Sequence, residues 1–152
     1  MTDLALTTPI PAMTPVAIRR VQELQTITAG MPQIKLETWH HFHAGIYSRT
    51  IMVPAGVMIV GALIKIPTLL VIDGEAKIWL GEMSCHFSGR SVFPASANRK
   101  QVFAAITDTH ITMAFATDAK TVEEAERQFT DEFDNLVSRR EGADNQIIIT
   151  GE

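Results

Sequence analysis

Between Gln33 and Thr117 the chain reads as short β-forming runs divided by turn residues, and no other feature limits its fold as much. QIKLETW, residues 33–39, alternates apolar and polar side chains. IYSRTIMV, 46–53, is rich in β-branched residues and leads into the turn Pro54-Ala55-Gly56. VMIVGALIK follows at 57–65. LLVI and EAKIWL flank Asp73-Gly74, the strongest short hairpin signal in the chain. RSVF, QVFAAI and HITMAFA complete the set, with Asp108 and Thr109 predicted to make the last tight turn. About eight short strands at hairpin-like spacing predict a sandwich or a barrel.

The flanks differ from this middle. Residues 1–14 hold Pro9 and Pro11 and read as an extended N-terminal arm. Leu4, Leu6, Ile10 and Met13 give the arm something to bury, so it is either a frayed tail or a contact to a neighbouring subunit. Thr14 is placed to cap a short helix with Pro15 at its first position. Ile18, Val21, Leu24 and Thr28 fall on one side of it, and Gly30 and Pro32 stop it. The barrel domain with this leading helix spans 15–120. In the closing segment, 121–152, Thr121 and Glu124 form a capping box. Val122, Ala125, Phe129, Phe133, Leu136 and Val137 recur at helical spacing, predicting an amphipathic helix as far as Arg140. Its Phe129 and Phe133 dock either on the barrel or on another subunit. Ile147, Ile148 and Ile149 form a strand-like run that is expected to extend a sheet edge, in this chain or a partner.

A chain that is 46% hydrophobic and 20% charged is neither disordered nor built for a bilayer, and 152 residues are enough for one core. The longest apolar run, 57–64, is too short to span a membrane, and neither a membrane partner nor a targeting segment is expected. A formal charge of −4 excludes the basic footprint of a nucleic-acid binder. Cys85 is the one cysteine, which excludes an internal disulfide framework and a cysteine-rich zinc site.

The stretch HHFH, residues 40–43, poses the sharpest chemical question. On a strand, His41 and His43 share a face, as a metal chelate requires. Further ligands would come from His40, Glu37, Glu82, His86 or His110, none at a diagnostic spacing. The plainer reading is three strand-end histidines, solvated or bonded to backbone, since His-x-His alone is a weak motif. Arg49 is a second candidate. Pointing inward, it needs an acid or an anion as partner; pointing outward, it needs nothing. Tyr47, Arg49, Arg99 and Lys100 make up the candidate site for an anionic ligand. The chain holds no phosphate loop, nucleophile elbow, dinucleotide fingerprint or zinc-protease helix.

The string His40-His41-Phe42, Gly45, Tyr47, Arg49, Pro54-Ala55-Gly56 resembles a family of small cupin-like proteins of tailed phages and prophages. The resemblance extends over residues 16–120. It implies a mainly β, double-stranded β-helix or jelly-roll barrel, here with a short N-terminal helix and a C-terminal amphipathic helix. In that family a histidine pair normally holds metal after the Pro-Ala-Gly turn, and the matching positions here are Ile64 and Thr68. The loop FPASANR also lacks the family's later histidine. The resemblance thus implies a barrel without its metal site: no enzyme, no cofactor, and a structural or assembly role in a phage particle. The expected partners are further copies of the chain and other virion proteins, and the expected location is the virion or host cytoplasm. Leu4, Leu6, Ile10, Phe129, Phe133, Ile147, Ile148 and Ile149 are the expected oligomer contacts. The alternatives are a small anionic-ligand binding module and a metal-dependent enzyme using His41 and His43.

Overall fold

A computed structural model describes residues 9–81 and 83–150. The helix α1, Pro15–Ala29, starts where the sequence predicts, with the Thr14 side chain accepting from the Ala17 amide at 3.1 Å. Strands β1, Glu37–His43, and β2, Ile46–Val53, form a tight antiparallel hairpin. Ala44 and Gly45 turn it with φ of 51° and 70°, the left-handed pair that suits the twist of a two-residue hairpin. The predicted run 57–65 holds only β3, Met58–Val60, before the chain becomes irregular.

Asp73-Gly74 is not a hairpin turn. LLVI and EAKIWL belong to one long strand, β4, Thr68–Leu80, and RSVF to an equally long β5, Met83–Ala95. These two pair along their whole length, and the chain reverses next to Gly81, at φ 75°. Gly74 is needed mid-strand for a different reason. Its φ is 138°, and a Cβ there would lie 2.6 Å from Thr109 Oγ1 and 2.8 Å from the Asp108 carbonyl. Beside it, β4 changes partner. Residues 69–73 pair with β7, Thr109–Ala116, and 76–79 with β6, Val102–Ala105. Asp108 and Thr109 make no hairpin either, because β6 and β7 lie end to end along β4. Residues 106–108 bulge out between them, with the Ile106 and Thr107 amides both donating to the Glu75 carbonyl.

The strands form one curled sheet in the order β3-β6-β4-β7-β2-β1-β8, with β5 on the other edge of β4. The mainly β expectation with one helix at each end therefore holds. The predicted IIIT strand is β8, Asp144–Ile149, and it extends the sheet edge in this chain, parallel to β1. Alternating residues of β4, β5 and β7 turn inward, and Ile72, Ile78, Phe87, Phe93 and Ile111 form the main core.

The C-terminal helix is shorter than its periodicity predicts. α2 spans Val122–Phe129 and stops at Thr130, and two 3-10 turns, Phe133–Asn135 and Val137–Arg139, follow. Residues 121–140 still close one end of the barrel, with Ala125, Phe129 and Leu136 against Phe42, Tyr47, Met113 and Phe115. Beyond the helix the chain folds back, and the buried Glu126 gathers its partners from that segment. Arg139 Nε donates to it at 2.5 Å, and Ser138 Oγ donates to it as well. Arg139 therefore serves a buried carboxylate.

Candidate functional site

The inner face of the sheet lines one side of an open cavity of about 1050 Å³, mostly apolar, with Ile51, Ile59, Leu70, Phe103, Ile111 and Met113 among its walls. Two polar side chains, Arg99 and Gln101, reach it from the segment between β5 and β6. That segment is extended and held against residues 61–64. The Gly61 amide donates to the Gln101 carbonyl, and the Ile64 amide to the Arg99 carbonyl, both at 2.8 Å. Gly61 permits the approach, since a Cβ there would sit 3.1 Å from the Gln101 carbonyl oxygen. Alternation then sends residues 99 and 101 into the barrel and Lys100 the other way.

Arg99 is 1% exposed. Its Nη1 donates to the Ser96 carbonyl at 2.7 Å and the Ile66 carbonyl at 3.4 Å. Its Nη2 donates to Thr68 Oγ1 at 2.5 Å and points at Met113 Sδ at 4.0 Å. Every one of these acceptors is neutral, and among the described residues no carboxylate pairs with the guanidinium. Burial without a counter-charge pushes its pKa down to about 10. Among the described residues the Nε–H has no partner, and neither does the side-chain nitrogen of Gln101, which is also buried. Unsatisfied buried donors are costly, and both nitrogens are closed to solvent.

The other anion candidates are committed elsewhere. Arg49 points inward and lines the cavity, and its partner is an acid: Nη1 lies 3.0 Å from Glu126. Tyr47 is fully buried; its hydroxyl lies 2.7 Å from His40 Nδ1, and burial raises its pKa. Lys100 is fully buried and bonds Glu132 at 2.6 Å. The structure thus brings Arg49 and Arg99 to one cavity and keeps Tyr47 and Lys100 out of it.

The histidines separate by strand parity. His40 is fully buried, while His41 and His43 are exposed on the opposite face of β1. His40 Nε2 lies 2.8 Å from Asn145 Oδ1, and Asn145 Nδ2 donates to the Ser138 carbonyl, which fixes the amide's orientation. Nε2 is therefore the donor, and Nδ1 accepts from Tyr47. Burial lowers the pKa of His40, the dominant effect over the Asn145 bond that opposes it. His43 Nδ1 meets Thr150 Oγ1 at 2.5 Å, His86 pairs with Glu75 at 2.7 Å, and His110 packs beside Trp39. Glu82 lies outside the described residues. Among the described residues no three metal-ligating side chains converge. Thr68 engages Arg99, and Ile64 packs in the core. The donor set a metal-binding barrel needs does not fit here.

The expected oligomer contacts also divide. Leu4 and Leu6 lie outside the described residues. Ile10 is 2% exposed, sits in the main core and bridges to Ala95. Phe129 and Phe133 pack on their own barrel. Ile147, Ile148 and Ile149 remain exposed on β8, the last strand of the sheet. Gln101, Glu126, Asn145 and Glu132 were not among the sequence candidates. The signal for Gln101 was its phase, since 99, 101, 103 and 105 share one face of an extended run.

No family model and no curated protein matches the chain. The structure is similar to several solved ones. A cupin superfamily protein from Desulfitobacterium hafniense is 13% identical, with 78% of this chain and 98% of that one covered and a TM-score of 0.46. An RmlC-like cupin protein from Desulfovibrio desulfuricans is 17% identical, over 54% and 82%, at 0.43. An ectoine synthase from P. lautus is 16% identical, over 56% and 63%, at 0.43. Among the described residues, no helix is long and apolar enough to cross a membrane.

Proposed function

We propose that the chain is a binding module whose barrel interior holds a small anionic ligand. The observation that carries this reading is Arg99: a guanidinium 1% exposed, with no carboxylate partner among the described residues, in a segment that lines a cavity of about 1050 Å³. A buried charge of this kind is costly without a counter-charge, and a bound anion supplies one. The module acts by sequestering or sensing its ligand, with no catalytic group required. The test is a thermal-shift screen of small anions on the wild type and on Arg99→Met. Stabilisation by an anion that is lost in the variant supports the reading. No anion raising the Tm of the wild type overturns it.

A second reading, favoured by β8, is an assembly protein. This strand ends the sheet and exposes Ile147, Ile148 and Ile149 at 56%, 37% and 66%. An open apolar edge is a template for pairing with a second copy. With the sequence resemblance, it supports a building block of a phage particle, located in the virion or the host cytoplasm. Native mass spectrometry of the untagged protein tests it. A defined oligomer that dissociates on Ile148→Lys is expected, and a monomer at all concentrations overturns it.

A further inference from the structure

The outer face of the sheet, opposite the core, is a second surface with its own pattern. We propose that it pairs with the same face of a second copy of the chain across a twofold axis. This surface is not the β8 edge, and it depends on neither reading above.

Strand register sets the side chains of six strands in rows across this face. One row runs Pro94, Leu69, Ala114, Ser48, His41 and Ile148, and the next runs Val92, Val71, Thr112, Thr50, Trp39 and Gln146. Neither row contains an acid, a lysine or an arginine. Leu69, Val92 and Ile148 are 45%, 38% and 37% exposed. A strand with one solvated face alternates apolar and polar side chains. The run Leu69-Leu70-Val71-Ile72 does not, and is apolar on the outside as well as in the core. α1 packs towards β3 and α2 closes one end of the barrel, so neither helix covers the face.

Its shape suits a flat contact. A curled sheet is convex outside, and its two middle strands, β7 and β2, carry small side chains there: Thr112, Ala114, Ser48 and Thr50. Thr50 and Thr112 bond each other through Oγ1 at 2.7 Å. Leu69, Val71 and Val92 flank them on one side, and Trp39 and Ile148 on the other. Small groups at the crest with larger ones beside it flatten the face for sheet-on-sheet packing.

Its charges are complementary to themselves, which makes a second copy the occupant. Glu37 lies two residues before Trp39 on this face, with Asp144 as its partner in the register of β1 and β8. Two adjacent carboxylates repel, and among the described residues neither forms an ion pair. The exposed His43 lies at the other end of β1 on the same face, with Nδ1 held by Thr150. A twofold axis running across the strands, level with His40, lays β1 antiparallel over its own copy. Trp39 of one copy then faces His41 of the other, and Glu37, with Asp144 beside it, faces His43. Each carboxylate pair gains an imidazole N–H as donor. On β4 and β7 the same axis sets Leu69 against Val71 and Ala114 against Thr112.

The experiment is sedimentation equilibrium of the untagged chain and four variants: Leu69→Arg, His43→Glu, His43→Glu with Glu37→Lys, and Ile147→Lys. Leu69 is exposed, so arginine there need not disturb the core. At about 3.4 Å per residue, Glu37 and His43 lie about 20 Å apart in one chain, so any rescue between them reports a contact between copies. A dimer is expected for the wild type, at least tenfold weaker in Leu69→Arg and severalfold weaker in His43→Glu. Adding Glu37→Lys, which exchanges the two signs, should restore it. A double variant as weak as His43→Glu alone would overturn the antiparallel arrangement. Ile147 points to the other face of β8 and is the control. A dimer lost in Ile147→Lys and untouched by Leu69→Arg would use the β8 edge and overturn the proposal. A monomer at every concentration would overturn it too and leave the face to a different partner.

Discussion

Arg49 Nη1 and Glu126 Oε2 lie 3.0 Å apart, 77 residues apart in the chain, with side chains 9% and 0% exposed. The pair ties β2 to the element that closes the barrel. Removing one partner leaves the other buried and uncompensated, so Glu126→Leu is expected to cost about 3–5 kcal/mol. Arg49→Met combined with Glu126→Leu removes both charges of this pair and should recover part of that loss, since Arg139 is still left without its carboxylate. Urea unfolding of the two single variants and the double variant measures the coupling. A loss below about 1 kcal/mol in Glu126→Leu would show that the pair does not hold the closing segment.

His40 makes stability depend on pH. Burial lowers its pKa below the ordinary 6.5, so the unfolded chain takes up a proton at a higher pH than the folded one. Its contribution is present in full above 6.5 and is lost as pH falls from 6.5 through the folded value. One proton gives a limiting slope of about 1.4 kcal/mol per pH unit. Unfolding free energy should fall between pH 7.5 and 5, and His40→Gln should flatten that slope. An unchanged slope in His40→Gln would assign the acid sensitivity to another group.

Strand alternation made much of this legible in the sequence, while the partners of buried polar groups were not. The two-residue period placed His41 and His43 on one face and His40 on the other, and the structure agrees. Composition does not distinguish a glycine that turns a hairpin from one that permits a close approach inside a strand. By sequence Asp73-Gly74 matches the first, and only the packing of Thr109 shows it to be the second. Nothing in the sequence marks Glu126 as a buried acid. Its burial follows from Arg49, Ser138 and Arg139, which lie far from it in sequence or beyond an unpredicted helix break. At the candidate site, Arg99 stood out as a charge, but its lack of a counter-charge is a tertiary fact.

Gly74 and Gly89 face each other across β4 and β5, both with positive φ, and provide a controlled comparison. A Cβ at Gly89 meets nothing within 4 Å, so Gly89→Ala should cost only backbone strain, about 1 kcal/mol. At Gly74 the Cβ also collides with the backbone of Asp108 and Thr109, and Gly74→Ala should cost about 2–4 kcal/mol. Equal losses in urea unfolding would mean that the close approach of Thr109 contributes nothing.

Asn145 should anchor β8. The three isoleucines of this strand are exposed, so apolar burial contributes little to holding it on β1. What remains is the parallel ladder from Glu37 to Phe42, the Thr150 bonds to His43 and Phe42 just past the strand, and the Asn145 amide between His40 and Ser138. Asn145→Leu leaves the His40 Nε2–H without an acceptor in a buried site, at a cost of about 1–3 kcal/mol. If that cost falls on the strand rather than on the whole barrel, amide exchange in residues 145–149 should accelerate strongly while β2 and β7 keep their protection. Unchanged exchange in β8 would mean that the ladder and Thr150 hold it without Asn145. Equal acceleration in β7 would mean that β8 and the barrel unfold as one unit.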